Sequence, residues 1–206
     1  MDFLVHFIPS LSLDSCQATC GPLGGALEYD PVTFENECTA IQIPDGLTML
    51  VSQGTEGIIM QVLGGNFTVR LATGYLVRVN GADAAAIGKE PIVAEDPTDD
   101  GTEVTEDIVW ERLKTCYDPE IPINIVELGL VYSCDVADDD KGKKKVDIAM
   151  TLTAPGCGMG QILVNDVESA VSSLSGVSEA FVDLTFEPPW EPSRMSEVAR
   201  LELGFE

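Results

Sequence analysis

The sequence predicts an α+β protein: a small all-β N-terminal domain followed by an α/β sandwich with the element order α-β-β-α-β-α. Three features carry that prediction. Residues 35–90 hold short apolar runs separated by turns rich in glycine and proline, the pattern of β-hairpins. Residues 105–206 instead combine apolar stripes at helical spacing with strands in strict two-residue alternation, which suits helices packed on one face of a short sheet. An acidic stretch with two prolines and a glycine, residues 91–104, separates the two and reads as a linker.

Residues 1–34 show no sustained period and are punctuated by Gly21, Pro22, Gly24, Gly25 and Pro31, so an irregular segment is expected there. Its first apolar run has no basic start and is broken by His6 and Pro9, unlike a secretory signal. In the β-rich part, residues 39–43 are followed by Pro44-Asp45-Gly46, and residues 58–63 end at Gly64-Gly65. Residues 67–71 and 75–79 flank Thr73-Gly74, and Asn80-Gly81 closes the set. A small barrel or sandwich would bury the apolar faces of such strands.

In the second part, Thr105 is placed to cap a helix whose first turn holds Glu106 and Asp107, where the helix dipole favours negative charge. Asp118-Pro119-Glu120 ends it. A strand is expected over residues 128–136, and a solvated Asp- and Lys-rich turn over 138–145. Val146, Ile148, Met150 and Leu152 then alternate as a half-buried strand. A Gly-rich loop at 153–160 leads into a helix expected from about 158 to 174. Val182, Leu184 and Phe186 alternate again, Pro188-Pro189-Trp190 ends that strand, and a last helix is expected over 193–203.

Acidic residues number 35 against 11 Lys and Arg, for a formal net charge of −24. Such a chain repels phosphate backbones and anionic membrane surfaces, which argues against nucleic-acid and membrane partners. No apolar stretch approaches the length of a membrane span. The cysteines are Cys16, Cys20, Cys38, Cys116, Cys134 and Cys157. With an ample supply of core residues and no export signal, free thiols and a cytoplasmic location are expected. Cys16 and Cys20 lack a second ligand pair at zinc-site spacing.

The chemistry concentrates in Thr153-Ala154-Pro155-Gly156-Cys157-Gly158-Met159-Gly160. A strand ends, a Pro-Gly turn follows, and Cys157 is expected where a helix begins, a position that favours a thiolate. Gly156, Gly158 and Gly160 leave the sulfur open, as suits a nucleophile or a soft-metal ligand. A small buried cysteine under a turn is the competing reading. His6 is the single histidine and lies outside the second part, which argues against a Cys-His hydrolase. Cys157 alone cannot complete an iron–sulfur site, which normally takes four ligands. A second subunit, as in a homodimer, a client protein or nearby carboxylates would have to supply the rest. Asp118, Glu120 and Glu127 are the candidate carboxylates, with capping of local turns as the alternative role. Trp190 either walls the Cys157 pocket or closes the core. Cys116 and Cys134 read as structural.

The segments 118–132, 150–160 and 187–204 together resemble, in order and spacing, the three blocks of MIP18 (DUF59) family domains. The resemblance implies an iron–sulfur-assembly-type α/β fold and a role in iron–sulfur cluster assembly or maturation, without catalysis of its own. It implies that Cys157 is the functional thiol and a transient ligand for a cluster or its iron. Asp118 and Glu127 fall on acidic positions of the motif, and Thr153, Gly156 and Trp190 are the remaining supporting residues. Partners would be iron–sulfur assembly proteins and client apoproteins. Residues 38–46, 61–69 and 79–88 resemble the β-rich leader of two-domain auxiliary proteins of the bacterial Suf pathway. Two other functions remain open on the residues alone: a thiol-nucleophile enzyme acting on a thioester, and a purely protein-binding adaptor.

Overall fold

The computed structural model describes residues 30–92, 95–98 and 101–205. His6, Cys16 and Cys20 lie outside the described residues. Helices and strands are mixed, in a six-stranded antiparallel sheet and a separate three-stranded sheet.

The first sheet contains β1 (Asp30–Thr33), β2 (Cys38–Ile43), β3 (Thr48–Val51), β4 (Glu56–Leu63), β5 (Asn66–Leu71) and β6 (Leu76–Asn80), in the spatial order β1-β4-β5-β6-β2-β3. Pairing begins at Asp30, inside the stretch expected to be irregular. Pro31 hid that strand from a sequence reading. It is tolerated because β1 is an edge strand and needs no second ladder of hydrogen bonds. A 3-10 helix over Gly81–Ile87 adds a helical element that the all-β expectation lacked; Asn80 caps it, its side chain accepting from the Ala82 N–H at 2.9 Å.

Strands β5 and β6 explain how this sheet meets the rest of the chain. Phe67, Val69, Val77 and Val79 point into the sheet's own core with Phe34, Val51 and Ile59. Thr68 and Arg78, paired across the two strands, are also buried but face the other way. Their face looks onto the second unit, so three consecutive residues are buried in each strand.

The second unit opens with α1 (Glu106–Leu113), capped by Thr105, whose hydroxyl accepts from the Ile108 N–H at 3.4 Å. β7 (Val131–Asp138) and β8 (Lys144–Met150) form an antiparallel hairpin. β8 continues through α2 (Gly160–Ser172) to β9 (Val177–Leu184), which pairs with β8 in parallel. This crossover places α2 over the sheet beside α1. Val109, Leu113, Leu130, Ile148, Met150, Leu163, Val167 and Val171 form the core between them.

Several boundaries in this unit differ from expectation. β7 starts at Val131, because Asn124 first closes a turn by accepting from the Val126 and Glu127 N–H groups at 3.1 and 2.9 Å. β9 ends at Leu184, leaving Phe186 beyond the strand and exposed. The last helix is two pieces, a 3-10 turn over Pro192–Arg194 and α3 (Glu197–Glu202). Met195 is extended and buried between them, and Ser196 starts α3 by accepting from the Ala199 N–H at 3.1 Å.

Just past β8, Thr151 is fully buried and its Oγ1 has no hydrogen-bond partner among the described residues. A buried hydroxyl left unpaired costs about 1–3 kcal/mol. Thr151→Val, which keeps the shape and removes the hydroxyl, is expected to stabilise the fold by about 1 kcal/mol. A lower urea midpoint for the variant would refute that assignment.

Candidate functional site

The site is built around the loop joining β8 to α2. Leu130 anchors the loop's start, its carbonyl accepting from the Thr151 N–H at 2.8 Å. Gly156 turns it with φ at 82°, a conformation that favours glycine. Cys157 follows, half-buried, its carbonyl accepting from the Gly160 N–H at 3.1 Å. Helix α2 begins at Gly160 with Met159 as its N-cap, two residues later than expected. Cys157 therefore stands on the approach to the helix and not in its first turn. Met159, only 2% exposed, pins the start of α2 there.

A shallow cleft of about 490 Å³ surrounds Cys157. Three segments line it: the loop itself with Thr153, Ala154, Gly156 and Gly158; the turn after α1 with Asp118, Glu120 and Ile121; and Pro44 and Asp45 between β2 and β3. Asp118 is 8% exposed, and its Oδ1 accepts from the Glu120 and Ile121 N–H groups at 2.8 and 3.1 Å. Burial raises its carboxyl above the ordinary carboxylate value, while those two N–H groups pull the other way. Asp118 thus closes its own turn and also walls the cleft. Gln42 orients the Asp45 carboxylate, its Nε2 donating to Oδ2 at 2.8 Å.

The cleft brings Asp118, Thr153 and Gly156 to Cys157, but Glu127 and Trp190 do not line it. The Glu127 N–H donates to Asn124, and its carbonyl accepts from the Ser196 N–H at 2.9 Å. Trp190 packs against the core and donates from Nε1 to the Leu128 carbonyl at 2.8 Å. Pro44 and Asp45 are cleft residues that sequence reasoning missed. Their sole local signal was a Pro-Asp-Gly turn, which says nothing of what the turn touches.

Cys38, Cys116 and Cys134 are buried free thiols. Burial pushes the Cys116 and Cys134 thiols up to about 12. Their thiolate fraction at neutral pH is negligible. Iodoacetamide is therefore expected to modify Cys157 in the native protein and to spare these three until it unfolds, as peptide mass spectrometry would show. The same shift links folding to pH. A thiol whose folded value is raised by burial costs nothing below its ordinary value of 9.0 and destabilises the fold increasingly as pH climbs toward about 12.

Among the described residues, no group of three or more His, Cys, Asp and Glu side chains is arranged to hold a metal ion, and no helix is long and apolar enough to cross a membrane. Residues 106–182, from the start of α1 through most of β9, match the family model described as iron–sulfur cluster assembly protein. A relative from Porphyromonas gingivalis, an Fe-S protein maturation auxiliary factor, is 48% identical over 101 residues, 49% of this chain and 92% of the relative. The chain belongs to the MIP18 (DUF59) family of iron–sulfur cluster assembly proteins. Another relative, the Fe-S protein maturation auxiliary factor SufT of Staphylococcus aureus, is 40% identical over 87 residues, 42% of this chain and 94% of that protein. The crystal structure of a DUF59 domain from Bacillus anthracis shares 37% identity, over 49% of this chain and 92% of that one, with a TM-score of 0.43. The cleft loop with Cys157 and the Asp118 turn both fall inside the span matched to the MIP18-family model.

Proposed function

We propose that this chain is an auxiliary factor in the maturation of iron–sulfur proteins and that Cys157 is its working thiol. One observation carries the assignment of the thiol. Of the four described cysteines, three are buried, whereas Cys157 is half-buried and opens into a cleft within the span that matches the family. Family membership supports the wider role, since relatives of this chain are named as maturation auxiliary factors.

In this reading the cluster or its iron is cargo. Cys157 supplies one soft donor, and the client's cysteines or a second copy of the chain supply the others. Asp118, Thr153 and Gly156 shape the cleft around the sulfur. The protein binds and hands over without a catalysed bond change of its own, working in the cytoplasm with assembly proteins and client apoproteins. The β-rich unit serves as a SufT-type leader domain and residues 105–206 as the MIP18-family domain, joined by the linker at 91–104.

A Cys157→Ser strain is expected to lose cluster occupancy in iron–sulfur client enzymes when demand for clusters is high. Full occupancy in that strain would refute the role of the thiol. A visible absorption band in anaerobically purified protein that disappears with the same substitution would establish direct ligation.

A further inference from the structure

The two units of the chain meet beside Cys157. The turn after β2 is closed by the Gly46 N–H donating to the Gln42 carbonyl at 2.9 Å. Gly46 has φ at 69° and lies directly against the residue that follows Cys157. A Cβ on Gly46 would collide with the Gly158 carbonyl, 2.8 Å from its carbon. A Cβ on Gly158 would sit 2.7 Å from the Asp45 carbonyl oxygen and 2.8 Å from that of Pro44. Backbone meets backbone, so no side-chain rotation can relieve either clash. A second tie lies behind the loop, where Arg78 of β6 pairs with Asp166 of α2 at 2.6 Å, the side chains 9% and 28% exposed.

The two hydrophobic cores share no residue: one draws on positions 32–87, the other on positions from 104 onward. Between the units lies a cavity of about 550 Å³, lined by polar residues such as Arg78 and Asp166 and by apolar ones such as Leu63 and Ile92. A cavity-containing contact between separate cores permits relative motion, unlike a continuous well-packed apolar interface.

We propose that the β2–β3 turn is a shutter on Cys157. Closed, it leaves a cleft that admits a small reagent but not a segment of folded protein. Contact with a protein-sized partner requires the Gly46–Gly158 contact to open, with the Arg78–Asp166 pair as its latch. The biological meaning rests on Cys157 being the working thiol; the shutter itself does not.

The test compares labelling rates at Cys157 in the full chain with two reagents, iodoacetamide and a bulky polyethylene-glycol maleimide, read at the Cys157 peptide by mass spectrometry. Two variants open the contact independently, Gly46→Ala at the turn and the charge-balanced Arg78→Gln/Asp166→Asn at the latch. Each is expected to raise the bulky-reagent rate about tenfold while leaving the iodoacetamide rate within about twofold, as a shift toward the open population requires. Continued protection of Cys38 in one core and of Cys116 and Cys134 in the other verifies that a variant remains folded. Should Gly46→Ala lose that protection, the latch variant alone decides. A bulky-reagent rate unchanged in the folded variants overturns the shutter. That result is separate from the fate of client clusters in a Cys157→Ser strain, so either idea can fail alone.

Discussion

Arg78→Ala is expected to destabilise the folded chain by about 3 kcal/mol at neutral pH, and by clearly less near pH 4. The guanidinium lies on the face of β6 that looks onto the second unit and pairs with Asp166 at 2.6 Å. Asp166 sits in an unusual balance. Burial raises its carboxyl above the ordinary 3.8 even though Arg78 beside it pulls downward, so desolvation outweighs the ion pair. Truncating Arg78 removes the pull and leaves the desolvation, and the folded value climbs further. A carboxyl with a raised folded value binds more protons folded than unfolded. The destabilisation it causes is absent below its unfolded value and grows as pH rises through the folded one. Urea unfolding at the two pH values, followed by tryptophan fluorescence, measures both losses. Equal losses at both pH values would show that Asp166 is not the group left stranded.

Arg78 also shows why part of this architecture was hidden in the sequence. The alternation of β8 was readable because one face meets the core and the other meets water: Val146, Ile148 and Met150 are buried, and Lys145 and Asp147 are exposed. The Thr105 cap and the acidic first turn of α1 were readable for a similar reason, since a helix start is decided within one turn. In β5 and β6 the second face is covered by the other unit, yet its residues, Thr68 and Arg78, are polar and read locally as solvent-facing. Polar residues buried at a contact between units carry no local mark of burial. The single helix expected over 193–203 divides in two, because the chain turns extended at the buried Met195 and starts again at Ser196, a tertiary burial that the local sequence does not mark.

The candidate site divides along the same line. Cys157, Thr153 and Gly156 were legible because a strand, a Pro-Gly turn and a helix follow one another in a single stretch of chain. Asp118 is close in space because α1 ends against the same loop, and its two N–H contacts match the turn-capping role that its sequence context allowed. The Pro44-Asp45 wall depends on a contact between units distant in sequence. No pattern within one sequence encodes such a pairing.

Trp190→Ala is expected to cost about 3 kcal/mol of stability while leaving the alkylation rate of Cys157 unchanged in the folded protein. The indole lies on the core and its Nε1 donates to the Leu128 carbonyl at 2.8 Å, so removal opens a cavity and strips that carbonyl of a donor. Trp190→Phe separates the two contributions: it retains most of the ring contact, loses the hydrogen bond, and is expected to cost about 1 kcal/mol. The ring does not line the cleft around the sulfur. Had it walled the thiol, as its place beside two prolines allowed, its loss would bare the sulfur to a bulky reagent. Faster labelling of Cys157 in folded Trp190→Ala, with Cys116 and Cys134 still protected, would therefore restore the ring to the site. An unchanged rate with a lowered urea midpoint assigns it to holding the 187–191 turn against the core, because burial of the ring and satisfaction of the Leu128 carbonyl act on stability without touching the thiol.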